Sequence, residues 1–393
     1  MSQNLRIVLT GGGSGGHITP IQAVAAELKH RVPSAELIYI GQTGDLLGDI
    51  PAQDKNIDKV YTVRAGKFRR YHGEGWKQLL DLETLFLNIR DFFYFLIGLW
   101  QSRRLLKQLQ PDTIFIKGGF VGVPVGLAAA SLHIPYITHD SDIIPGLANR
   151  IIARWASLHA VALPKEQYAY PANKTVTTGV PLQARFKLVN PQLKKQYRQE
   201  IKLPEKAKML FIIGGGLGAQ RINNAVVEAV PHLLHEYRDL YVVHGCGRAN
   251  EAEVEAAYKA LPAAEQGRVQ VFGYLKDLYR YSGAADLVIT RAGATNMAEF
   301  ALQAKACIVI PSAVLTGGHQ LKNAQYLVEQ GAAVIIDETD LVNDPNRIAK
   351  QVSDLMKNTQ QLTELGQHLA KFAYPNATKD LASEILKIAQ QKA

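Results

Sequence analysis

Cysteine is nearly missing from this chain: of 393 residues only Cys246 and Cys307 are present, and they form no C-x-x-C pair. A disulfide-stapled fold and a zinc ribbon are therefore excluded, and a reducing compartment fits. Long apolar runs are missing too. No stretch reaches the roughly 18 apolar residues that a membrane-spanning helix needs. The N-terminal MSQNLRIVLTGGG holds neither an apolar leader core nor a cleavage site, so Leu5 to Leu9 is expected to open the fold as a strand. Low-complexity tracts are absent. With 47% hydrophobic and 20% charged residues, the composition is that of a folded globular protein and not of a disordered one. A chain of this length exceeds one ordinary core, and two domains of roughly 150–200 residues are expected.

What is present is an alternation of short apolar runs with amphipathic stretches. Strands are expected at Arg6–Thr10, Leu37–Ile40, Lys59–Val63, Thr113–Ile116, Tyr136–Thr138, Ala160–Leu163 and Thr175–Thr177. A second series follows at Met209–Ile213, Leu240–His244, Val269–Phe272, Leu287–Thr290, Ile308–Ile310 and Val334–Ile336. Repeated βαβ alternation means parallel sheets with helices on both faces, here in two copies: an α/β chain of two Rossmann-like domains. Expected bounds are 1–165 for the first domain, 166–204 for a proline-containing, charged linker and 205–370 for the second domain. A last helix within 371–393 is expected to pack back on the first domain.

Two glycine-rich turns stand between a strand and a helix, Gly11-Gly12-Gly13-Ser14-Gly15-Gly16-His17 and Gly214-Gly215-Gly216-Leu217-Gly218-Ala219. Bare backbone at such a junction offers unpaired N–H groups and the positive end of a helix dipole to a diphosphate. The first turn fits G-x-G-x-x-G, yet the second strand ends Tyr39-Ile40-Gly41-Gln42 without the ribose-binding acid of a dinucleotide site, so a dehydrogenase is disfavoured. His17, just past the glycines, is either a general base kept neutral by the helix N-terminus or a surface or capping histidine. Lys117-Gly118-Gly119 forms a third glycine turn on the same sheet edge. His139-Asp140-Ser141-Asp142 ends the next strand; its D-x-D pair would serve a divalent cation, sugar hydroxyls, or an acid/base role beside His17. In the second half, Arg291 to Glu299 ends a strand and opens a helix, with Glu299 positioned to accept ribose hydroxyls or simply solvated, and His319, Gln320 and Asn323 gather at a further helix start.

The net charge of +9 is concentrated between Arg64 and Lys107, where nine Lys/Arg face four acids, an excess of five. It flanks the aromatic run from Thr84 to Trp100. That run reads either as a buried helix or as an interfacial face with basic flanks, and the charge favours a membrane-surface role shared with core packing. No nucleic-acid signature accompanies the charge.

Six ordered blocks, GGGSGGHITPIQAVAAEL, KGGFVGVPVGLAA, IPGLANRIIARWA, IIGGGLGAQRINNAV, YSGAADLVITRAGATNMAEF and GGHQLKNAQYLVEQGAAVII, cover nearly the whole chain. Through them the chain resembles the MurG family of peptidoglycan glycosyltransferases, within glycosyltransferase family 28. The resemblance implies a GT-B architecture, two Rossmann-like parallel-sheet domains facing across a cleft. It implies inverting transfer of GlcNAc from UDP-GlcNAc to the 4-hydroxyl of MurNAc in undecaprenyl-pyrophosphoryl-MurNAc-pentapeptide (lipid I to lipid II). No cofactor and no tightly bound metal is implied, and the location would be peripheral, on the cytoplasmic face of the cell membrane. Carried over by motif, Ser14, Gly15, Gly16 and His17 form the first-domain loop, with His17, Asp140 or Asp142 as the base. Ala294, Thr295, Asn296, Met297, Ala298 and Glu299 would bind uridine, Leu275 would flank the uracil, and His319 and Gln320 would face the sugar. Three donor-side positions depart from the family pattern: Asp142 replaces an asparagine, Gln183 an arginine and Gly216 a serine. Competing functions are a UDP-GlcNAc 2-epimerase, a transferase for another lipid, and a non-catalytic nucleotide-sugar-binding membrane protein.

Overall fold

A computed structural model describes residues 5–13, 15–45, 47–66, 82–215, 218–312, 319–344 and 346–392. The chain divides into two compact units. One comprises the chain through Ala184 together with Tyr374 onward, and the other is drawn from between Arg185 and Ala373.

The first unit holds a seven-stranded parallel sheet of β1 (Arg6–Gly11), β2 (Glu36–Gln42), β3 (Lys59–Val63), β4 (Thr113–Gly118), β5 (Tyr136–Asp140), β6 (Leu158–Val161) and β7 (Thr175–Thr177), in the order β3-β2-β1-β4-β5-β6-β7. The helices that concern its site and surface are α1 (Gly15–Arg31), α2 (Leu82–Leu109), α3 (Gly122–Ser131) and α4 (Leu147–Ile152). Successive residues of a strand point to opposite faces. Thus Ile7, Leu9 and Phe115 pack with α1, while Val8, Ile114 and Ile116 pack with α3 and the end of α2. Both faces are covered, which explains why these strands read as continuous apolar runs.

The second unit repeats the plan with β8 (Lys208–Ile213), β9 (Leu240–Gly245), β10 (Val269–Phe272), β11 (Leu287–Thr290), β12 (Cys307–Val309) and β13 (Val334–Ile335), ordered β10-β9-β8-β11-β12-β13. Its helices include α5 (Pro191–Glu200), α6 (Gln220–Glu236), α7 (Ala294–Leu302) and α8 (His319–Glu329). In each sheet the order reverses beside the first strand of the unit, between β1 and β4 and between β8 and β11. The helices after those strands leave on opposite faces, so a crevice opens at the carboxyl ends of the strands, the usual ligand site of open α/β sheets.

Every strand run read from the sequence is present, with one slip: the sixth lies at Leu158–Val161 and not at Ala160–Leu163. Its pairing with β5 begins at Ile137 opposite Leu158 and buries a polar residue, His159, inside the sheet. Residues 166–204 are not an unstructured connector. They supply β7 to the first sheet and then α5, whose start is capped by the Asn190 side chain accepting from the Leu193 amide, with Pro191 in the first turn. The closing helix α9 (Ala377–Lys392) buries Leu381, Ala382, Ile385 and Ala389 in one cluster with Ile21, Val24, Ala25 and Leu28 of α1. Thr378 reinforces it, its hydroxyl accepting from the Leu182 amide and donating to the Leu182 carbonyl.

Candidate functional site

In the first unit the glycine turns after β1 and β4 touch. Gly119 has φ +84° and a Cβ there would lie 2.6 Å from the Gly12 carbonyl oxygen, so only glycine permits the approach. His17 sits in the first turn of α1, its Nδ1 2.9 Å from the carbonyl oxygen of Gly12. A carbonyl can only accept, so Nδ1 carries the hydrogen and Nε2 carries the lone pair of the neutral ring. Burial, and after it the nearby Lys117 charge, push the His17 pKa down to about 4. The ring is therefore neutral at physiological pH and can take up a proton, as a general base must.

Lys117 is the unexpected neighbour. It follows Phe115 by two residues on β4 and so leaves the sheet on the α1 face. It is only 3% exposed, and its ammonium makes no hydrogen bond or salt bridge among the described residues. Burial lowers its pKa to about 8, partly offset by Asp140 and Asp142. Asp140 is itself buried, and its oxygens accept from the Gly146 amide, Asn149 Nδ2 and Tyr170 Oη at 2.8–3.0 Å. Burial raises its pKa. These bonds make Asp140 the tie that holds the loop after β5, with Tyr170 stacked on His159 behind it. Asp142 is half-exposed, and its backbone carbonyl accepts from Tyr168 Oη. Asp45, just past β2, accepts from the Gly13 amide at 2.9 Å and so already occupies one donor of the first glycine turn.

In the second unit Ile213, Gly215, Gly245, Gly247, Gly273, Tyr274, Leu275, Leu278 and Asn296 line a small hollow at the carboxyl ends of β8, β9 and β10 and the start of α7. Arg248 lies over the Tyr274 ring, 5.0 Å from its centre. Glu299, one turn into α7, is 8% exposed, and its carboxyl has no hydrogen-bond partner among the described residues. Burial alone drives its pKa up to about 8. The turn before α7 is clamped: Arg291 donates to the Ile310 carbonyl and pairs with Glu338, which is 2% exposed and also pairs with Arg221 on α6. Asn323 Nδ2 reaches the Ala292 carbonyl, and Gln320 accepts from the Ser312 amide.

His17, Asp140 and Asp142, with Gly15 and Gly16, are thus gathered at one sheet edge of the first unit. Gln183 lies half-buried in the segment after β7 of that unit. Leu275 and Asn296 share the second unit's hollow, and Ala294, Thr295, Ala298 and Glu299 lie on the helix that borders it. Met297 is different: its side chain is packed in the core, which leaves only its backbone for a ligand. Ser14, Gly216 and the His319 side chain lie outside the described residues. Lys117, Asp45, Asn149 and Tyr170 were not picked out as site residues. Lys117 and Asn149 stand inside quoted motifs, whereas nothing local marks Tyr170, 30 residues from the carboxylate it holds.

Comparison with known proteins agrees with this layout. The glycosyltransferase family 28 N-terminal domain matches residues 7–161, and the glycosyltransferase family 28 C-terminal domain matches residues 209–381. A Natranaerobius thermophilus protein named UDP-N-acetylglucosamine–N-acetylmuramyl-(pentapeptide) pyrophosphoryl-undecaprenol N-acetylglucosamine transferase is 32% identical over 98% of this chain and 99% of its own length. The crystal structure of Acinetobacter baumannii MurG superposes with TM-score 0.69 and 26% identity, covering 98% of this chain and 99% of that one. A Neisseria meningitidis UDP-GlcNAc 2-epimerase bound to UDP-GlcNAc reaches TM-score 0.68 at 13% identity, over 98% of this chain and all of that one, a likeness of fold alone. Two parallel-sheet domains of the GT-B type, both family 28 domains in order and full-length similarity to a named transferase together make this chain a member of glycosyltransferase family 28.

Proposed function

We propose that this family 28 enzyme moves N-acetylglucosamine from UDP-GlcNAc to the 4-hydroxyl of MurNAc in undecaprenyl-pyrophosphoryl-MurNAc-pentapeptide, the step from lipid I to lipid II. The observation that carries the mechanism is His17, held neutral with its Nε2 lone pair available by the bond from Nδ1 to Gly12. The acceptor O4 attacks C1 of GlcNAc, the C1–O bond to UDP breaks with inversion, and the acceptor proton passes to His17 Nε2. Asp140, with three donors on its oxygens, serves the loop; Asp142, half-exposed, is the group of that pair that can reach sugar hydroxyls.

The donor belongs to the second unit. The hollow lined by Leu275 and Asn296 suits a flat base, and the unpartnered Glu299 carboxyl suits the two ribose hydroxyls. Amides at the starts of α6 and α7 carry the partial positive charge that the departing diphosphate needs.

The lipid acceptor and the surface of α2 point to a peripheral protein at the cytoplasmic face of the membrane. Phe86, Ile89, Phe93, Leu96, Ile97 and Trp100 are all exposed on that helix, with Arg103, Arg104 and Lys107 beyond them. Leaving each such side chain in water forgoes roughly 1.5–3 kcal/mol of burial, which anionic lipid would recover. Among the described residues no helix is long and apolar enough to cross a membrane. The decisive experiment incubates the protein with UDP-GlcNAc and a lipid-I-like acceptor and follows UDP and glycosylated lipid. Conversion of UDP-GlcNAc to its epimer without acceptor, or binding without turnover, would overturn the reading.

A further inference from the structure

A cavity of about 340 Å³ in the first unit lies away from the glycine turns, between the ends of β2 and β3 and the middle of α2. Gln42, Thr43, Arg64, Arg90, Asp91 and Tyr94 line it. Its construction begins with Gly98, where a Cβ would sit 1.8 Å from the Arg64 carbonyl oxygen; lacking one, α2 lies directly on the chain that leaves β3. The Arg64 amide donates to Gln101 in the same contact. This seating brings Arg64 over one Tyr94 ring at 4.9 Å, and Arg90 approaches the same ring at 5.4 Å.

Two guanidiniums on one ring repel each other unless an anion answers both. Asp91, 3% exposed, holds Arg90 from the buried side through Nε and Nη2 at 3.0 and 2.9 Å. The Arg64 guanidinium has no carboxylate partner among the described residues. A positive charge is therefore left at the mouth, presented by two planar forks whose geometry matches phosphate oxygens.

The position of the cavity on α2 identifies the kind of phosphate. At about 100° per residue, Arg90 and Tyr94 fall between the buried side, marked by Asp91 and Gly98, and the exposed stripe of Phe86, Ile89, Phe93, Leu96 and Trp100. A free anion has no use for that stripe. A phosphate carried on acyl chains matches both, with its headgroup in the cavity and its chains along the aromatic face.

We propose that this cavity binds the phosphate headgroup of an anionic phospholipid, with Arg64 and Arg90 as its ligands. The proposal rests on the membrane-surface reading above and assigns it a defined lipid site in place of diffuse charge.

The test compares Arg64→Gln/Arg90→Gln with Arg103→Gln/Arg104→Gln, which removes the same charge from α2 outside the cavity. Partition onto phosphatidylcholine vesicles with and without phosphatidylglycerol is measured by flotation. The cavity pair is expected to weaken binding to phosphatidylglycerol vesicles at least tenfold more than the control pair, with thermal stability and UDP-GlcNAc affinity unchanged. Dihexanoyl-phosphatidylglycerol, below its micelle concentration, should saturate the wild-type protein where inorganic phosphate does not. Equal effects of the two pairs, equal binding of inorganic phosphate, or a raised KM for lipid acceptor with vesicle binding intact would each overturn the assignment. Wild-type protein that binds no vesicle of either composition would instead sink the membrane reading itself.

Discussion

His17 Nδ1 and the carbonyl oxygen of Gly12, five residues earlier, stand 2.9 Å apart across the first glycine turn. That one bond sets the tautomer and turns Nε2 into the proton acceptor. Replacing His17 with alanine should lower turnover with lipid acceptor by about 10²–10⁴-fold, while UDP-GlcNAc affinity, measured by calorimetry, stays within about twofold. Turnover equal to wild type would remove His17 as the base.

Lys117 helps keep that ring neutral, because a nearby cation disfavours a second positive charge. In Lys117→Met the His17 pKa should rise, so the acid limb of the kcat/KM–pH profile should move to higher pH. The other charges that act there are Asp45 beside the glycine turn and Asp142 after β5, both of which favour protonated His17. An acid limb that stays in place would show that Lys117 serves only to balance Asp140 and Asp142.

Glu299 provides a pH signature for the donor. Its carboxyl, with a pKa raised to about 8, is largely protonated at pH 7. Ribose hydroxyls donate better to the ionised form, so UDP should bind more tightly as pH rises toward 8 and release protons when it binds below that value. Glu299→Gln should weaken UDP by about 10–100-fold, the range for hydrogen bonds to a charged group, and flatten the dependence. Proton uptake, or none, in calorimetry across buffers of different ionisation enthalpy would contradict the assignment.

Removal of divalent cations should leave transfer unaffected. Asp140 already accepts from Gly146, Asn149 and Tyr170, which leaves little of it for a metal. Activity lost to chelator and restored by Mg²⁺ or Mn²⁺ would revive the D-x-D metal reading.

Glu338 is a matter of stability more than chemistry. Its carboxylate, 2% exposed, joins Arg291 before α7 to Arg221 on α6. Glu338→Ala strands Arg291, and loss of one partner of a buried pair costs about 3–5 kcal/mol; Arg221 is largely exposed, which places the expected loss at the lower end. Urea unfolding should show it, and an unchanged midpoint would mean that water replaces the carboxylate.

The sequence by itself determined the strands, the two-sheet plan and the loops that carry chemistry, because each is written locally. An apolar run ending in glycine specifies a buried strand and its turn without reference to distant residues, and His17, Glu299 and the Asp140–Asp142 segment all lie at such ends. The β6 slip came where a polar residue, His159, had to be buried, a choice made by its β5 neighbour. Only the tertiary structure decided what each polar group does. Asp140 became a loop tie through Tyr170, 30 residues on; Asp45 found the Gly13 amide from 32 residues away. Lys117 became a buried charge because β4 turns it toward α1. The aromatic run of α2 stayed open between its two readings in sequence, since periodicity shows that a helix has an apolar face but not what covers it. Packing settled it: Asp91 and Gly98 face inward, and Phe93, Leu96 and Trp100 are left in solvent. Burial, charge neighbours and hydrogen-bond partners are properties of distance in space, and for residues far apart in the chain the fold alone sets that distance.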